Sequence, residues 1–258
     1  MRIGLNWIRH PLAKGLALPL LMLVAWESVS RQGGAHAYAF VPLADIWRGL
    51  LEVLASGELQ GSLFATLRTM LTGLLIGGSL GLAIGGLMAV SRVVNMIVGP
   101  LYHTLRQVPM LGLVPLFGLW FGTGDTAKYI IVSLAAFYPM VLNTYEGIRQ
   151  VERKLIEVGT VYRLSSWQMT RRVLLPGALP SIWTGVMHAL AFAWISTVGS
   201  ELLFVSGAGL GTLMQNAQAD SRLDIVVIGV ASIGVTGLLL NQLFSRVRYL
   251  SLKGRIAR

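Results

Sequence analysis

Long apolar stretches are the feature of this sequence that most restricts its fold. A helix that crosses a bilayer needs about 20 mostly apolar residues, because no water is present there to bond the backbone. Six segments meet or nearly meet this length: roughly 13–28, 64–90, 96–121, 127–148, 179–205 and 225–244. Only 12% of the residues are charged, too few to cover a soluble domain. The sequence therefore predicts an all-α polytopic membrane protein with about six transmembrane helices.

The charges along the chain predict its orientation. The 21 Lys and Arg residues outnumber the 11 Asp and Glu residues. Six spans put both termini on one side, and most of the basic residues fall on that side while most acids fall on or toward the other. Among the groups assigned to the outer side are Lys128 and Glu201. Because cytoplasmic segments are enriched in Lys and Arg, we expect cytoplasmic termini. The orientation of the chain in the membrane thus accounts for the excess of basic residues, and no nucleic-acid partner is expected.

Residues 1–62 are expected to form an N-terminal helix and an outer connection. The run Ala35-His36-Ala37 resembles a signal-peptidase site, but Glu27 and Arg31 separate it from the apolar stretch, so we expect an uncleaved first helix. Residues 43–54 have the periodicity of an amphipathic interfacial helix. Residues 63–258 are then the core domain.

Four glycines mark a packing face in the second span. Gly73, Gly77, Gly81 and Gly85 recur every four residues, so they lie on one face of a helix. Small residues in this pattern let a second membrane helix approach backbone to backbone. We expect this face to be a close helix–helix contact.

The third span contains Pro100, Pro109 and Pro115, which remove backbone donors and predict a kinked or broken helix. Arg106 lies close to these prolines. An ionisable residue inside a span is a functional candidate, although an Arg that snorkels to the headgroups or pairs inside the bundle explains it equally well. His103 and His188 are single histidines on apolar helices and are interpreted as packing residues. No Cys is present, and no His, Asp or Glu cluster has metal-binding spacing, so no metal is expected.

A polar insertion at 150–177 separates the fourth and fifth spans. Its apolar positions predict one short amphipathic helix over 151–162, and Ser165 with Gln168 forms a capping-box start for a second. Pro176 and Pro180 are expected to stop this second helix and open the fifth span. A basic, amphipathic helix pair on the cytoplasmic face suits either the membrane surface or a partner protein.

The insertion resembles the EAA loop of permease subunits of bacterial ABC importers. The matching residues are Glu157-Val158-Gly159 and, at the expected spacing, Leu175-Pro176 within Val173 to Pro180. Two positions depart from the family pattern: Gly159 stands where the second Ala is usual, and Arg163 stands where the family has Gly. With that glycine missing, we expect the turn between the two helices at Leu164–Ser165.

Further motifs resemble the branch of the family that imports aliphatic sulfonates, taurine and nitrate. They occur in the expected order at Ser56 to Leu59, Leu105 to Pro109, Val114 to Gly122, Leu142 to Arg149, Ala193 to Glu201 and Ser206 to Gly211. The resemblance covers nearly the whole chain from about Pro42. It implies a type I importer fold in the bacterial inner (plasma) membrane.

The resemblance also implies partners: a second copy of the permease, two copies of an ATP-binding subunit on the EAA loops, and an extracytoplasmic substrate-binding protein. The chain contains no Gly-Lys dipeptide and hence no phosphate-binding loop, so ATP and Mg²⁺ belong to the partner and the chain is not an enzyme. The residues expected in the coupling loop are Glu157, Val158, Gly159, Tyr162, Arg163, Trp167, Leu175 and Pro176. We expect Glu157 to order this loop by pairing with a nearby Arg or a helix end.

Arg106, with Asn143 and Thr144 as alternatives, is the candidate for lining an anion pathway, because a guanidinium suits oxyanion oxygens. The alternative is that the permease holds substrate only fleetingly and that selectivity resides in the binding protein. Two other classes of protein remain open from the sequence. A channel or secondary transporter would need no cytoplasmic docking element, and a membrane-embedded enzyme would need acids, His or a nucleophile close together.

Overall fold

The computed structural model describes residues 11–32, 40–204 and 206–256. Its helices are α1 (Pro11–Ser30), α2 (Leu43–Ala55), α3 (Glu58–Val90), α4 (Arg92–Leu105), α5 (Val114–Phe121), α6 (Asp125–Arg149), α7 (Arg153–Val161), α8 (Ser166–Met169), α9 (Leu175–Leu203), α10 (Leu210–Ala219) and α11 (Leu223–Ile256). A 3-10 turn, Met110–Leu113, precedes α5, and a π turn, Thr170–Leu174, joins α8 to α9. The all-α prediction is confirmed. Ala35-His36-Ala37 and Val205, the predicted end of the fifth span, lie outside the described residues.

Four of the described helical segments are long and apolar enough to cross a membrane: Glu58–Val90, Asp125–Arg149, Ser166–Leu203 and Leu223–Lys253. Two shorter apolar helices, Leu18–Ser30 and Met110–Phe121, correspond to the first span and the outer half of the third. The six predicted spans therefore consist of four full-length helices and two shorter ones.

The third span is broken, as its prolines predict. Helix α4 ends at Leu105, and the chain turns through Arg106 to Pro109 before the 3-10 turn begins. Pro115 lies in the first turn of α5, where its missing N–H removes no helical bond. Pro100 remains inside α4. Only Pro109 coincides with the break in the helix.

Helix α8, the second helix of the 150–177 insertion, is continuous with α9, the fifth span, which corrects the prediction that prolines separate them. Helical structure runs from Ser166 to Leu203 through the π turn at Thr170–Leu174. The turn directly before Pro176 is therefore widened by one residue, a local change of the kind that restores bonding where the α pattern is interrupted. Pro176 thus lies within this helix and does not end it.

Helix α6 packs against both α3 and α9 in the core of the bundle. Gly73, Gly77, Gly81 and Gly85 are all buried along one side of α3. A Cβ placed on Gly81 would lie 2.7 Å from Met140 Cβ, and one on Gly85 would lie 2.6 Å from the carbonyl oxygen of Val141. At Gly77 the added carbon would collide with the carbonyl of Ser133. The glycine face of α3 is thus the contact surface for α6.

Helix α2 is amphipathic and is attached to the end of the bundle opposite the α7–α8 insertion. Its buried residues, Gly49 and Val53, pack on the start of α11, whereas Leu43, Trp47, Leu51 and Leu54 are exposed along another side. The Arg222 guanidinium bridges Glu52 at 2.8 Å and Asp224 at 2.8 Å. These hydrogen bonds hold the pKa of the Glu52 carboxyl below its usual range. The ion pairs therefore fix α2 to α11.

Candidate functional site

Helices α7 and α8 form a compact hairpin, which we call the coupling hairpin (153–169). Gly159 is the buried residue of α7, and a Cβ there would lie 2.8 Å from the Met169 sulfur. Ser165 begins α8 with a complete capping box: its hydroxyl accepts a bond from the Gln168 backbone N–H at 3.3 Å, and Gln168 Oε1 accepts one from the Ser165 N–H at 2.9 Å. The glycine in the EAA-like motif thus lets the second helix pack closely on the first.

The turn between the two helices occurs at Arg163, which corrects the expected position at Leu164–Ser165. Arg163 has φ +51°, in the left-handed region that favours glycine. Its N–H donates to the Thr160 carbonyl at 2.9 Å, and the Leu164 N–H donates to the Gly159 carbonyl at 3.1 Å. These bonds close the C-terminus of α7. Arg163 therefore has the glycine-type backbone conformation despite its side chain.

The coupling hairpin exposes apolar side chains. Val161 is 81% exposed, Tyr162 is 77% exposed and Trp167 is 69% exposed, and Leu155 and Val158 extend this surface along α7. An apolar cluster outside the spans is typical of a protein interaction site. Glu157 lies beside it and pairs with Arg153 at 3.3 Å, with both side chains exposed. Such a surface pair contributes at most a few tenths of a kcal/mol, so Glu157 orders the hairpin only weakly.

Helices α6 and α9 pack closely together at the two ends of the 150–177 insertion. A Cβ on Gly177 would lie 3.0 Å from Val151, and one on Gly147 would lie 2.6 Å from Ser181 Cβ. The Ser181 hydroxyl donates to the Asn143 carbonyl at 2.8 Å. Leu175 and Pro176, predicted to belong to the coupling loop, lie half-buried in the first turn of α9. The chain therefore enters and leaves the insertion at two helices that are in direct contact.

A cavity of about 490 Å³ lies where the break in the third span faces α6 and α9. Arg106 and Asn143 both line it. Arg106 Cζ lies 5.9 Å from the centroid of the Tyr102 ring, and no ion pair found among the described residues includes Arg106. His188, interpreted from the sequence as a packing residue, is exposed and lines the same cavity. Two of the three predicted pathway residues therefore lie together.

Thr144, the third pathway candidate, lies elsewhere. Its side chain is fully buried, and a Cβ on Gly85 would lie 3.0 Å from Thr144 Cβ. One helical position separates it from Asn143, and this 100° rotation turns it to the interface with α3. Thr144 therefore belongs to the α3–α6 contact.

Lys128 and Glu201, both assigned to the outer side of the membrane from the sequence, are buried within the bundle. Lys128 is 1% exposed and donates a hydrogen bond from Nζ to the Ser206 carbonyl. Glu201 is 0% exposed, and its Oε2 accepts bonds from Thr66 Oγ1 and the Gly211 N–H. The glycine-rich segment 206–211 lies between the two side chains, with Gly209 against the carboxylate. The nearby run Gly207-Ala208-Gly209 was the sequence signal that could have indicated this close approach.

Metal binding has no support among the residues described. No group of three or more His, Cys, Asp or Glu side chains in that part of the chain is placed to hold a metal ion. Arg106, which lines the cavity and can only donate hydrogen bonds, suits an anion.

Several proteins are similar to this chain over most of its length. A Bacillus subtilis protein named for aliphatic sulfonates transport is 35% identical, over 90% of this chain and 83% of its own. An Escherichia coli protein with the same name is 34% identical, over 86% of this chain and 84% of its own. A bicarbonate transport system permease protein of Synechococcus elongatus is 28% identical, over 88% of this chain and 86% of its own.

Solved structures share the fold. An inward-facing structure of the MetNI methionine ABC transporter superposes with a TM-score of 0.55 at 20% identity, covering 72% of this chain and 95% of that one. An amino acid ABC transporter solved with histidines gives a TM-score of 0.58 at 21% identity, covering 77% and 96%. The sequence pattern of the binding-protein-dependent transport system inner membrane component matches residues 77–254. The chain belongs to this family and is a multi-pass permease subunit of an ABC importer in the inner membrane.

Proposed function

We propose that this permease imports aliphatic sulfonates or a related small anion, such as taurine or nitrate, and that ATP hydrolysis by a partner subunit drives the import. The names of the Bacillus subtilis and Escherichia coli relatives support the substrate class. ATP and Mg²⁺ bind to the partner, since this chain has no phosphate-binding loop. Residues 63–258 form the transport core, with the coupling loop at 150–177, and residues 1–62 form the peripheral N-terminal part.

One observation carries the coupling mechanism: the second hairpin helix and the fifth span are continuous from Ser166 to Leu203. Trp167 lies in the exposed surface of the hairpin, and His188 and Phe192 on the same helix line the cavity. A force on the hairpin is therefore transmitted along a helix to the cavity wall, with no loop between them to absorb the movement.

The expected assembly is a homodimer with two ATP-binding subunits on the cytoplasmic side and a substrate-binding protein on the outer side. Closure of the ATPase pair displaces both coupling hairpins and tilts the spans, so that the pathway switches between inward-facing and outward-facing states. No covalent chemistry in the permease is needed for this cycle. Binding energy of nucleotide to the partner supplies the difference between the two states.

Copurification tests whether the exposed apolar side chains of the coupling hairpin bind the ATPase subunit. A Tyr162→Ala and Val161→Asp double variant should lose the bound ATPase subunit in detergent and should lose ATP-dependent uptake. It removes the two most exposed apolar side chains of the coupling hairpin. Tyr249→Ala is the matched control, since Tyr249 is an exposed tyrosine, 60% accessible, near the end of α11. Normal ATPase binding by the hairpin variant would refute the proposal. Substrate uptake that persists without any ATPase would instead indicate a channel or a secondary transporter.

A further inference from the structure

We propose that the cavity between residues 106–111, α6 and α9 binds the transported anion itself and selects anions with a short aliphatic tail over bare inorganic anions. This inference rests on the proposed transport function. The relatives are named for both kinds of cargo, sulfonates with an aliphatic part and bicarbonate without one. The volume and the lining of the cavity distinguish between these two chemistries.

Three elements of the fold contribute hydrogen-bond donors to the lining of the cavity. Arg106 follows the end of α4, Asn143 lies on α6 and His188 lies on α9. The amide nitrogen of Asn143 donates to the Pro139 carbonyl at 2.8 Å, which uses one of its two N–H groups. A guanidinium, an amide N–H and an imidazole N–H suit the several oxygens of a sulfonate headgroup.

The cavity also has an extensive apolar lining. Phe192 is 54% exposed, Ile195 is 55% exposed and Leu111 is 42% exposed, and all three line the cavity. His188, Phe192 and Ile195 are spaced i, i+4 and i+7, so they share one face of α9. Seven residues of helix span about 10 Å, which matches an extended alkanesulfonate of a few carbons. A bare anion would leave this apolar surface without a partner.

The tail should contribute to affinity in a graded way. Each methylene removed from water is expected to tighten binding about fourfold, until the apolar part of the cavity is filled. A cavity of about 490 Å³ lies within the range of small-molecule sites and exceeds what an inorganic anion needs. The headgroup donors should act equally on every member of the series, because they contact only the charged end.

Calorimetric titration of the permease–ATPase complex in lipid nanodiscs tests this proposal, with ethanesulfonate, butanesulfonate, hexanesulfonate and nitrate as ligands. Affinity should rise with chain length and be weakest for nitrate. Phe192→Ala should remove most of this dependence on length, while Arg106→Gln should weaken all sulfonates about tenfold or more. Arg106→Lys should restore part of that loss, which separates a direct role of the cation from misfolding. Phe64→Ala and Arg68→Gln, exposed residues of α3 away from the cavity, are the matched controls.

The possible failures are distinct. Equal affinity for all chain lengths, or an unchanged length dependence in Phe192→Ala, would overturn the proposal. Absence of saturable binding in a complex that still performs ATP-driven uptake would also overturn it, while leaving the importer function intact. Graded sulfonate binding by an unmutated complex that shows no ATP-driven uptake would refute the proposed function and support the cavity as the binding site.

Discussion

Glu201 Oε2 accepts a hydrogen bond from Thr66 Oγ1 at 3.0 Å and thereby joins α9 to α3. Thr66 Oγ1 in turn accepts the Leu210 N–H at 2.8 Å, and Glu201 accepts the Gly211 N–H at 2.9 Å. The first two N–H groups of α10 are therefore bonded by side chains of two other helices. A carboxylate at a helix N-terminus is also favoured by the helix dipole. These contacts fix α10 at the end of the bundle far from the coupling hairpin.

Replacement of Glu201 should destabilise the protein strongly. Glu201→Ala leaves the Thr66 hydroxyl and the Gly211 N–H without their acceptor, and we expect a loss of about 3 kcal/mol in the free energy of unfolding. Glu201→Gln retains an acceptor and should lose about 1 kcal/mol. Thermal melting in detergent measures both, with the exposed Glu58→Ala as control. Equal melting temperatures for Glu201→Ala and Glu58→Ala would contradict this prediction.

The two neighbouring glycines Gly77 and Gly78 should respond differently to the same substitution. A Cβ on Gly77 would collide with the Ser133 carbonyl, whereas a Cβ on Gly78 meets no atom within 4 Å. Gly77→Ala must separate α3 from α6 and should cost about 2 kcal/mol. Gly78→Ala should be neutral or slightly stabilising, because alanine favours the helix. Thermal unfolding compares the two variants, and similar losses for both would argue against the close contact.

Arg163→Gly should stabilise the coupling hairpin. A non-glycine residue in the left-handed region costs about 1–2 kcal/mol of strain. Glycine avoids this strain but loses more backbone entropy on folding, so the substitution recovers only part of the cost. We expect a net gain of about 0.5–1 kcal/mol in local stability. Slower amide exchange across residues 153–169 would show this gain. Leu164→Gly is the control and should accelerate exchange, so faster exchange in Arg163→Gly as well would refute the argument.

The ion pair between Glu52 and Arg222 should make stability depend on pH. The pKa of Glu52 is lowered by its hydrogen bonds to Arg222. The resulting stabilisation is fully present above the unfolded pKa, about 4.3, and is lost as the pH falls through the folded pKa. Glu52→Gln should therefore melt below the parent protein at pH 7 and approach it at acidic pH. In an Arg222→Gln background the same substitution should have no pH-dependent effect, and a difference that persists there would contradict the assignment.

The helices could be predicted because their signals are local. Apolar runs, the four-residue glycine repeat in α3 and the capping box at Ser165 each depend on neighbouring residues, and each predicts helix or helix packing. The burial of Lys128 and Glu201 could not be predicted in this way, because their partners are 78 and 135 positions distant. A charge near the end of a span has the same local sequence whether it faces water or a helix terminus.

The coupling hairpin was predicted in outline but not in its details. Glycine is the residue that most often adopts positive φ, so its absence at Arg163 moved the expected turn one residue onward. The prolines at 176 and 180 favoured two separate helices, since the sequence does not show that a widened turn bonds the backbone around them. The cavity depends on how residues 106–111 are placed relative to α6 and α9, which no single segment specifies.

The π turn at Thr170–Leu174 has a consequence for how hairpins of related permeases combine with this core. One extra residue in a helical turn rotates everything beyond it by about 100° about the helix axis. The angular phase between Trp167 and His188 is thus set by those five residues. A transplanted hairpin that lacks the extra residue would have its docking side chains rotated about the helix axis relative to the core. This would hold even if every contact residue were retained.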